Sequence, residues 1–367
     1  DFMNLLYNDL VAACSRIEEK WLKFDNACEY FPSIVWEETE RLDLTEFGKV
    51  SNQLKLLDHH SVRLNQQLST FSDMYFQIYN NGRFMVEILN WHGGHVNVHD
   101  HDFSAVQFQL KGDSLNVIYD FTESGPHDGA LQFGDLKVRN AEIWKEGSRS
   151  VVRSGAIDPH GVFHLGRPTT SLLIRTLPTP RLGAQSNYFP TLKAHYNVST
   201  TVQRKRLTGL NLLWTENRAE FHRLFEKFLG EQSLAENFFM MVKFGSRIFQ
   251  SSDVGIASKF AARGAKESLL VQSVAYNNGI DFFKNKTNEF SEGSQDLRLA
   301  LFAISAATSR ENFNKIKEDL AERSLSINES FQLEKFKLTL SSRDRKLANQ
   351  YLRLFGMEQK ESCHAIV

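Results

Sequence analysis

Trp91-His92-Gly93-Gly94-His95-Val96-Asn97-Val98-His99-Asp100-His101-Asp102-Phe103-Ser104 leads without a break into Ala105-Val106-Gln107-Phe108-Gln109-Leu110-Lys111-Gly112-Asp113 and then Ser114-Leu115-Asn116-Val117-Ile118-Tyr119. The run reads as strand, turn, strand. Side chains alternate across a strand with a period of two, so His99 and His101 leave the same face. Two imidazoles pointing into one space can share a metal ion, and imidazole suits Fe, Zn, Cu and Ni. A lone His-x-His also describes solvated histidines on an exposed strand. The setting favours the metal: a Gly-rich loop precedes the pair, and a second strand follows it, closed by Lys111-Gly112-Asp113.

A metal site of this kind needs a third ligand. About sixty residues on, Gly155-Ala156-Ile157-Asp158-Pro159-His160-Gly161-Val162-Phe163-His164 closes a short apolar segment on a histidine, ahead of the Pro168 turn and the strand Ser171-Leu172-Leu173-Ile174. His164, directly before that turn, is the expected third ligand; His160 is the alternative. The two segments resemble the paired motifs of the cupin β-barrel, and more narrowly the cysteine dioxygenase family of thiol dioxygenases. The residues that carry the resemblance are Gly82-Arg83-Phe84, Ile88-Leu89-Asn90-Trp91, Gly94-His95, His99-Asp100-His101, Ser104, Lys111-Gly112 and His164. It covers roughly residues 73–180.

The resemblance implies a jelly-roll barrel with a mononuclear iron centre. The ordinary cupin pattern adds a Glu four or five residues after the second His, but Ala105 and Val106 stand there. That leaves three neutral histidines, the ligand set that thiol dioxygenases use in place of two His and a carboxylate. Three imidazoles also make zinc sites, so Zn and Ni stay open beside Fe(II). Other features depart from the family. The strand after the third ligand carries Ser171, Leu173 and Arg175 where the family has a Ser-His-Tyr relay. Val106 occupies the place of the crosslinking cysteine, and no Arg stands near Met74 to bind a carboxylate. Cysteine is therefore not the expected substrate. Arg175 is the candidate replacement clamp for an anionic group, because a guanidinium fork matches a carboxylate bidentately. The competing reading is an Arg paired with an acid of the protein. Ser171 is a candidate polar contact beside the metal.

The 367 residues are enough for two or three domains. A net charge near zero speaks against binding the nucleic-acid backbone. Three cysteines without a Cys-x-x-Cys pair, and no signal-peptide pattern, suggest a reduced, cytoplasmic protein. No apolar run approaches the ~18 residues of a membrane span.

Residues 1–72 read as helices, with Phe2, Leu5, Leu6, Leu10, Ala13 and Ile17 at helical spacing and a second stretch over about 46–68, packing on a barrel over 73–182. Residues 183–206 read as a linker, and 207–367 as an all-helical domain of unassigned role. The stripe Phe221, Leu224, Phe225, Phe228, Leu229 and the capping box Thr308-Ser309-Arg310-Glu311 mark helices there. The fold class is thus α+β: an antiparallel cupin barrel flanked by helices on both sides in sequence.

Three functions fit this sequence. One is an Fe(II) dioxygenase acting on a small substrate and O2, with His99, His101 and His164 as ligands and no organic cofactor. Another is a zinc cupin with non-redox chemistry. The last is a non-catalytic metal- or metabolite-binding barrel whose C-terminal helices meet a protein partner or a second copy of the chain.

Overall fold

The computed structural model describes residues 2–69, 71–93, 97–195, 200–250, 254–290 and 294–357. Gly94 and His95, two of the residues that carry the resemblance, and Cys363 lie outside them. Two antiparallel sheets face each other, as expected for the jelly-roll class. The first has five strands in the order β1 (Met74–Asn80), β2 (Phe84–Trp91), β9 (Thr169–Thr176), β4 (Ala105–Lys111) and β7 (Arg149–Val152). The second closes through β10 (Ser186–Phe189), β11 (Leu192–His195), β6 (Leu131–Trp144), β5 (Ser114–Asp128), β8 (Gly155–His164) and β3 (His99–His101).

Alternation assigns each sheet two faces. In the first sheet Val86, Ile88, Val106, Phe108, Leu110, Leu172 and Ile174 are buried against N-terminal helices. These are α1 (Phe2–Leu22), α2 (Phe31–Glu38), α3 (Val50–Leu56) and α4 (His60–Leu64); Leu10, Ile17, Phe31 and Val62 meet the sheet. The helical stretch expected over 46–68 is therefore two short helices broken near Leu57, preceded by a 3-10 turn at Thr45–Gly48. Phe108 faces these helices, away from the barrel interior. The inward face carries Glu87, Leu89 and Trp91 on β2, Gln107 and Gln109 on β4, and Ser171, Leu173 and Arg175 on β9.

The second sheet mirrors this arrangement. Leu115, Val117, Tyr119, Val138, Ala141 and Phe163 point outward into a core shared with α9 (Ala265–Asn288), α10 (Gln295–Ala307), α11 (Arg310–Glu322), α12 (Glu329–Thr339) and α13 (Ser342–Leu354). A further core joins β6, β10 and β11 to α5 (Thr201–Glu216), α6 (Arg218–Glu231), α7 (Leu234–Gln250) and α8 (Val254–Ala261) through Phe133, Phe189, Leu210, Phe221, Phe225 and Phe244. Ser309 caps α11 by accepting from the Asn312 amide, so the expected capping signal acts one residue later than Thr308. The chain is layered as helices, sheet, cavity, sheet, helices.

Two departures from the sequence reading have physical causes. β6 is 14 residues long, yet its sequence carries no unbroken period-two pattern. Ile118 pairs with Asn140 and Tyr119 with Val138, which leaves Arg139 as a bulge that resets the period-two phase. The 183–206 segment, expected as a linker, holds β10 and β11, a hairpin turning at Pro190-Thr191. Its four-residue strands are too short to show alternation, yet Tyr188, Phe189 and Leu192 are buried.

Candidate metal centre

β3 and β8 bring the imidazoles together. His99 stands opposite His160 in the ladder, and His101 leaves the same face as His99. Ring centroids lie 4.7 Å apart for His99 and His101, 5.1 Å for His99 and His160, and 4.9 Å for His101 and His160. One ligating atom from each falls within 4.8 Å of the other two. All three side chains are buried.

Their hydrogen bonds decide which nitrogen is available. His99 Nδ1 lies 2.7 Å from the Asn97 carbonyl oxygen, which only accepts, so Nδ1 carries the proton and Nε2 the lone pair. His160 Nδ1 lies 2.8 Å from Asn116 Oδ1, while the Asn116 amide nitrogen donates to Glu142. That orientation likewise places the His160 proton on Nδ1. Outer hydrogen bonds of this kind fix the tautomer and orientation of metal-binding histidines.

Burial also keeps the rings neutral. It lowers the pKa of His99 and takes His101 well below its ordinary value, with the charges of His99, His160 and Arg175 adding to the effect. His160 is pushed down to about 3, first by burial and then by His99. A metal needs deprotonated ligands, so this donor set fits a divalent ion without first losing protons. Among the described residues no carboxylate joins the group. Asp100, between the two histidines, points to the opposite face, where it accepts from the Ser186 amide and the Tyr188 hydroxyl.

The imidazole that the structure brings beside His99 and His101 is that of His160, the alternative to the expected His164. His164 lies two alternations further along β8, on the same face, and stacks on Trp91 with centroids 4.7 Å apart and planes at 22°. Its Nδ1 is 3.0 Å from Ser114 Oγ, and its buried Nε2 has no partner among the described residues.

Arg175 is paired with an acid of the protein, the competing reading of its guanidinium. Its Nε and Nη2 each donate at 2.8 Å to the two oxygens of Glu87 on the neighbouring strand. Tyr75 donates to the same carboxylate at 2.6 Å, and the guanidinium lies over the Phe103 ring. A partly buried charge needs such a partner, and the fork is fully engaged by it. Ser171 does face the cavity, as expected.

That cavity opens to solvent, and its free space of about 490 Å³ is walled by Leu89, Trp91, Trp144, Val152, Val162 and Leu173 beside the histidines. A second space of about 930 Å³ holds Arg175, Glu87, Tyr75 and Phe103, and shares Phe71, His99, His101 and Leu173 with the first. Phe103 lines this outer space, whereas Phe163 packs on Phe302. Sequence reasoning passed over Asn97, Asn116, Gln107, Gln109 and Ser114. A signal was present, since Gln107 and Gln109 alternate with apolar residues on a strand buried on both faces, and buried amides require a polar purpose.

No family model matches the sequence, and no curated protein matches it. Among solved structures, the chain is similar to an RmlC-like cupin from Shewanella frigidimarina, at 13% identity over 34% of this chain and 94% of that one, with a TM-score of 0.24. It is similar to a protein with a double-stranded β-helix domain from Klebsiella pneumoniae, at 13% identity over 37% and 96%, with a TM-score of 0.23. Hydroquinone 1,2-dioxygenase from a Sphingomonas species matches at 8% identity over 29% and 67%, with a TM-score of 0.23.

Proposed function

We propose that the protein is a mononuclear metal-dependent dioxygenase in which His99, His101 and His160 hold Fe(II), and a small substrate and O2 share the adjoining cavity. The observation that carries this reading is the convergence of three buried, neutral imidazoles without a carboxylate among them. Bound Fe(II) would supply the electron that ground-state O2 needs to react with a closed-shell organic molecule.

The chain's own residues contribute position and environment. The Asn97 carbonyl and Asn116 Oδ1 hold two of the rings so that Nε2 faces the shared space. Leu89, Trp91, Trp144, Val162 and Leu173 keep that space apolar and exclude water from the reacting groups. Three neutral ligands leave the full metal charge uncompensated, which favours an anionic substrate or substrate group. A zinc centre with hydrolytic or isomerase chemistry would call for a general base, and no acid is among the described residues lining the inner cavity.

Anaerobic loading with Fe(II), followed by oxygen uptake with a panel of thiols and small carboxylates, tests the reading. Uptake with at least one compound, abolished in a His99→Ala, His101→Ala double variant, is expected. Purification with stoichiometric zinc, and no uptake by the iron-loaded protein across the panel, would move the assignment to a non-redox centre.

A further inference from the structure

The inner face of the barrel carries a one-way chain of hydrogen bonds that ends on an unused donor. The Ser150 hydroxyl donates to Gln107 Oε1 at 2.9 Å, and Gln107 Nε2 donates to Gln109 Oε1 at 2.8 Å. Gln109 Nε2 donates both to the Gly112 carbonyl at 2.8 Å and to Ser114 Oγ at 3.2 Å. Because a backbone carbonyl only accepts, the Gly112 contact fixes the orientation of the Gln109 amide, and Gln107 follows from it.

Ser114 is completely buried, and its hydroxyl has two partners, Gln109 and His164 Nδ1. Gln109 donates to it. The single Ser114 proton must therefore go to His164 Nδ1, since otherwise it would be a buried donor without an acceptor. His164 is then protonated on Nε2. This is the opposite assignment to His99 and His160, whose Nδ1 atoms carry the proton. The Nε2 of His164 is buried and without a partner among the described residues, and the residue is part of the cavity wall that holds the three clustered histidines. Trp91, stacked on the ring and braced edge-on by Phe71 at 5.4 Å, holds it in place.

Resting on the metal reading above, we infer that His164 is the substrate anchor of this cavity. Its Nε2–H takes an oxygen acceptor, such as a carboxylate, carbonyl or phenolate, at the end of an apolar substrate remote from the metal. Four residues of strand separate His160 from His164, about 13 Å between Cα atoms at ~3.3 Å per residue, which sets the two ends of the substrate apart along β8. The apolar walls between them match a hydrocarbon or ring body. Arg175 cannot take this part, because Glu87 occupies its guanidinium. The substrate class is thus an elongated apolar molecule that carries, at the end away from its metal-facing group, an oxygen acceptor bound by a neutral donor.

Long-range proton–nitrogen correlation spectra of the full-length, Zn(II)-loaded protein read the tautomer directly. The expected result is Nε2–H for His164 with no metal-induced shift. A Ser114→Ala variant is expected to move the proton to Nδ1. Benzoate and hexanoate serve as oxygen-bearing probes and toluene as the oxygen-free control. Binding of either acid should weaken tenfold or more in His164→Phe, which preserves the stack on Trp91, with metal content unchanged; toluene binding should be indifferent to the substitution. The inference is overturned by an Nδ1–H tautomer in the native protein, by equal affinity of native and variant protein for the acids, by failure of both acids to bind, or by loss of metal in His164→Phe. Failure of the metal reading would show separately, as a native protein that takes up no metal while the His164 tautomer stands.

Discussion

His160 and His164 lie on one face of one strand, and their Nδ1 atoms give them opposite characters. His160 donates to Asn116 and keeps a lone pair for the cluster, whereas His164 accepts from Ser114 and keeps a proton for the cavity. Asn116→Ala removes the group that fixes the His160 tautomer, and metal affinity is expected to fall about 10–100-fold, read by competition with a chromophoric chelator. An unchanged affinity would remove Asn116 from the site. Burial also predicts a pH response. His160 and His164 resist protonation down to about 3 in the fold, whereas an unfolded His takes its proton near 6.5. Between those values the unfolded chain binds more protons, so stability present above about pH 6.5 is lost as pH falls, by up to ~1.4 kcal/mol per pH unit for each group. Urea midpoints of the metal-free protein should drop between pH 7.5 and 5; a flat profile would contradict the neutral assignment. At this scale His99 and His101 were legible from period two alone. Which of His160 and His164 lies beside them was not, because both share a face and only the non-local pairing of His99 with His160 brings one of them to the pair.

At the scale of elements, the second sheet depends on helices for its edge. β11 pairs with β6 only over Leu131–Phe133, so the far part of β6 would offer unpaired backbone groups. α11 covers them. Asn312 Oδ1 accepts from the Val138 amide, Asp319 Oδ2 accepts from the Ala141 amide, and Arg323 donates to the Ala141 carbonyl. Asp319→Ala leaves a buried N–H unsatisfied and is expected to cost about 1–3 kcal/mol, seen as a lower urea midpoint; no change would mean that the edge is satisfied otherwise. α10 reaches the site more directly. The buried Arg298 donates to the carbonyls of His164 and Leu165, tying the helical domain to the strand that carries both histidines. The bulge at Arg139 hid β6 in the sequence, and helix spacing could mark the apolar faces of α6 and α11 but not which strand edge they cover.

For the whole molecule, the layering makes the helical domain part of the barrel's fold. Tyr119 donates to the Ala306 carbonyl, and Phe163 packs on Phe302. Without residues beyond about 200, the apolar face around Leu115, Val117, Tyr119 and Phe163 would meet water, a patch of the kind that drives aggregation. A chain ending there is expected to be insoluble or to bind a hydrophobic dye strongly; a compact, cooperatively melting fragment would contradict the shared core. The two-sided α+β plan was visible in the sequence as a change from helical to strand periodicity and back. The docking of the last helices onto the barrel was not, because it depends on contacts between residues more than a hundred positions apart.

The most direct measurement is the metal content of the native protein beside His160→Ala and His164→Ala variants, all folded by circular dichroism. The centre described above predicts near-stoichiometric metal in the native protein and in His164→Ala, and its loss in His160→Ala. Metal retained without His160 and lost without His164 would contradict it.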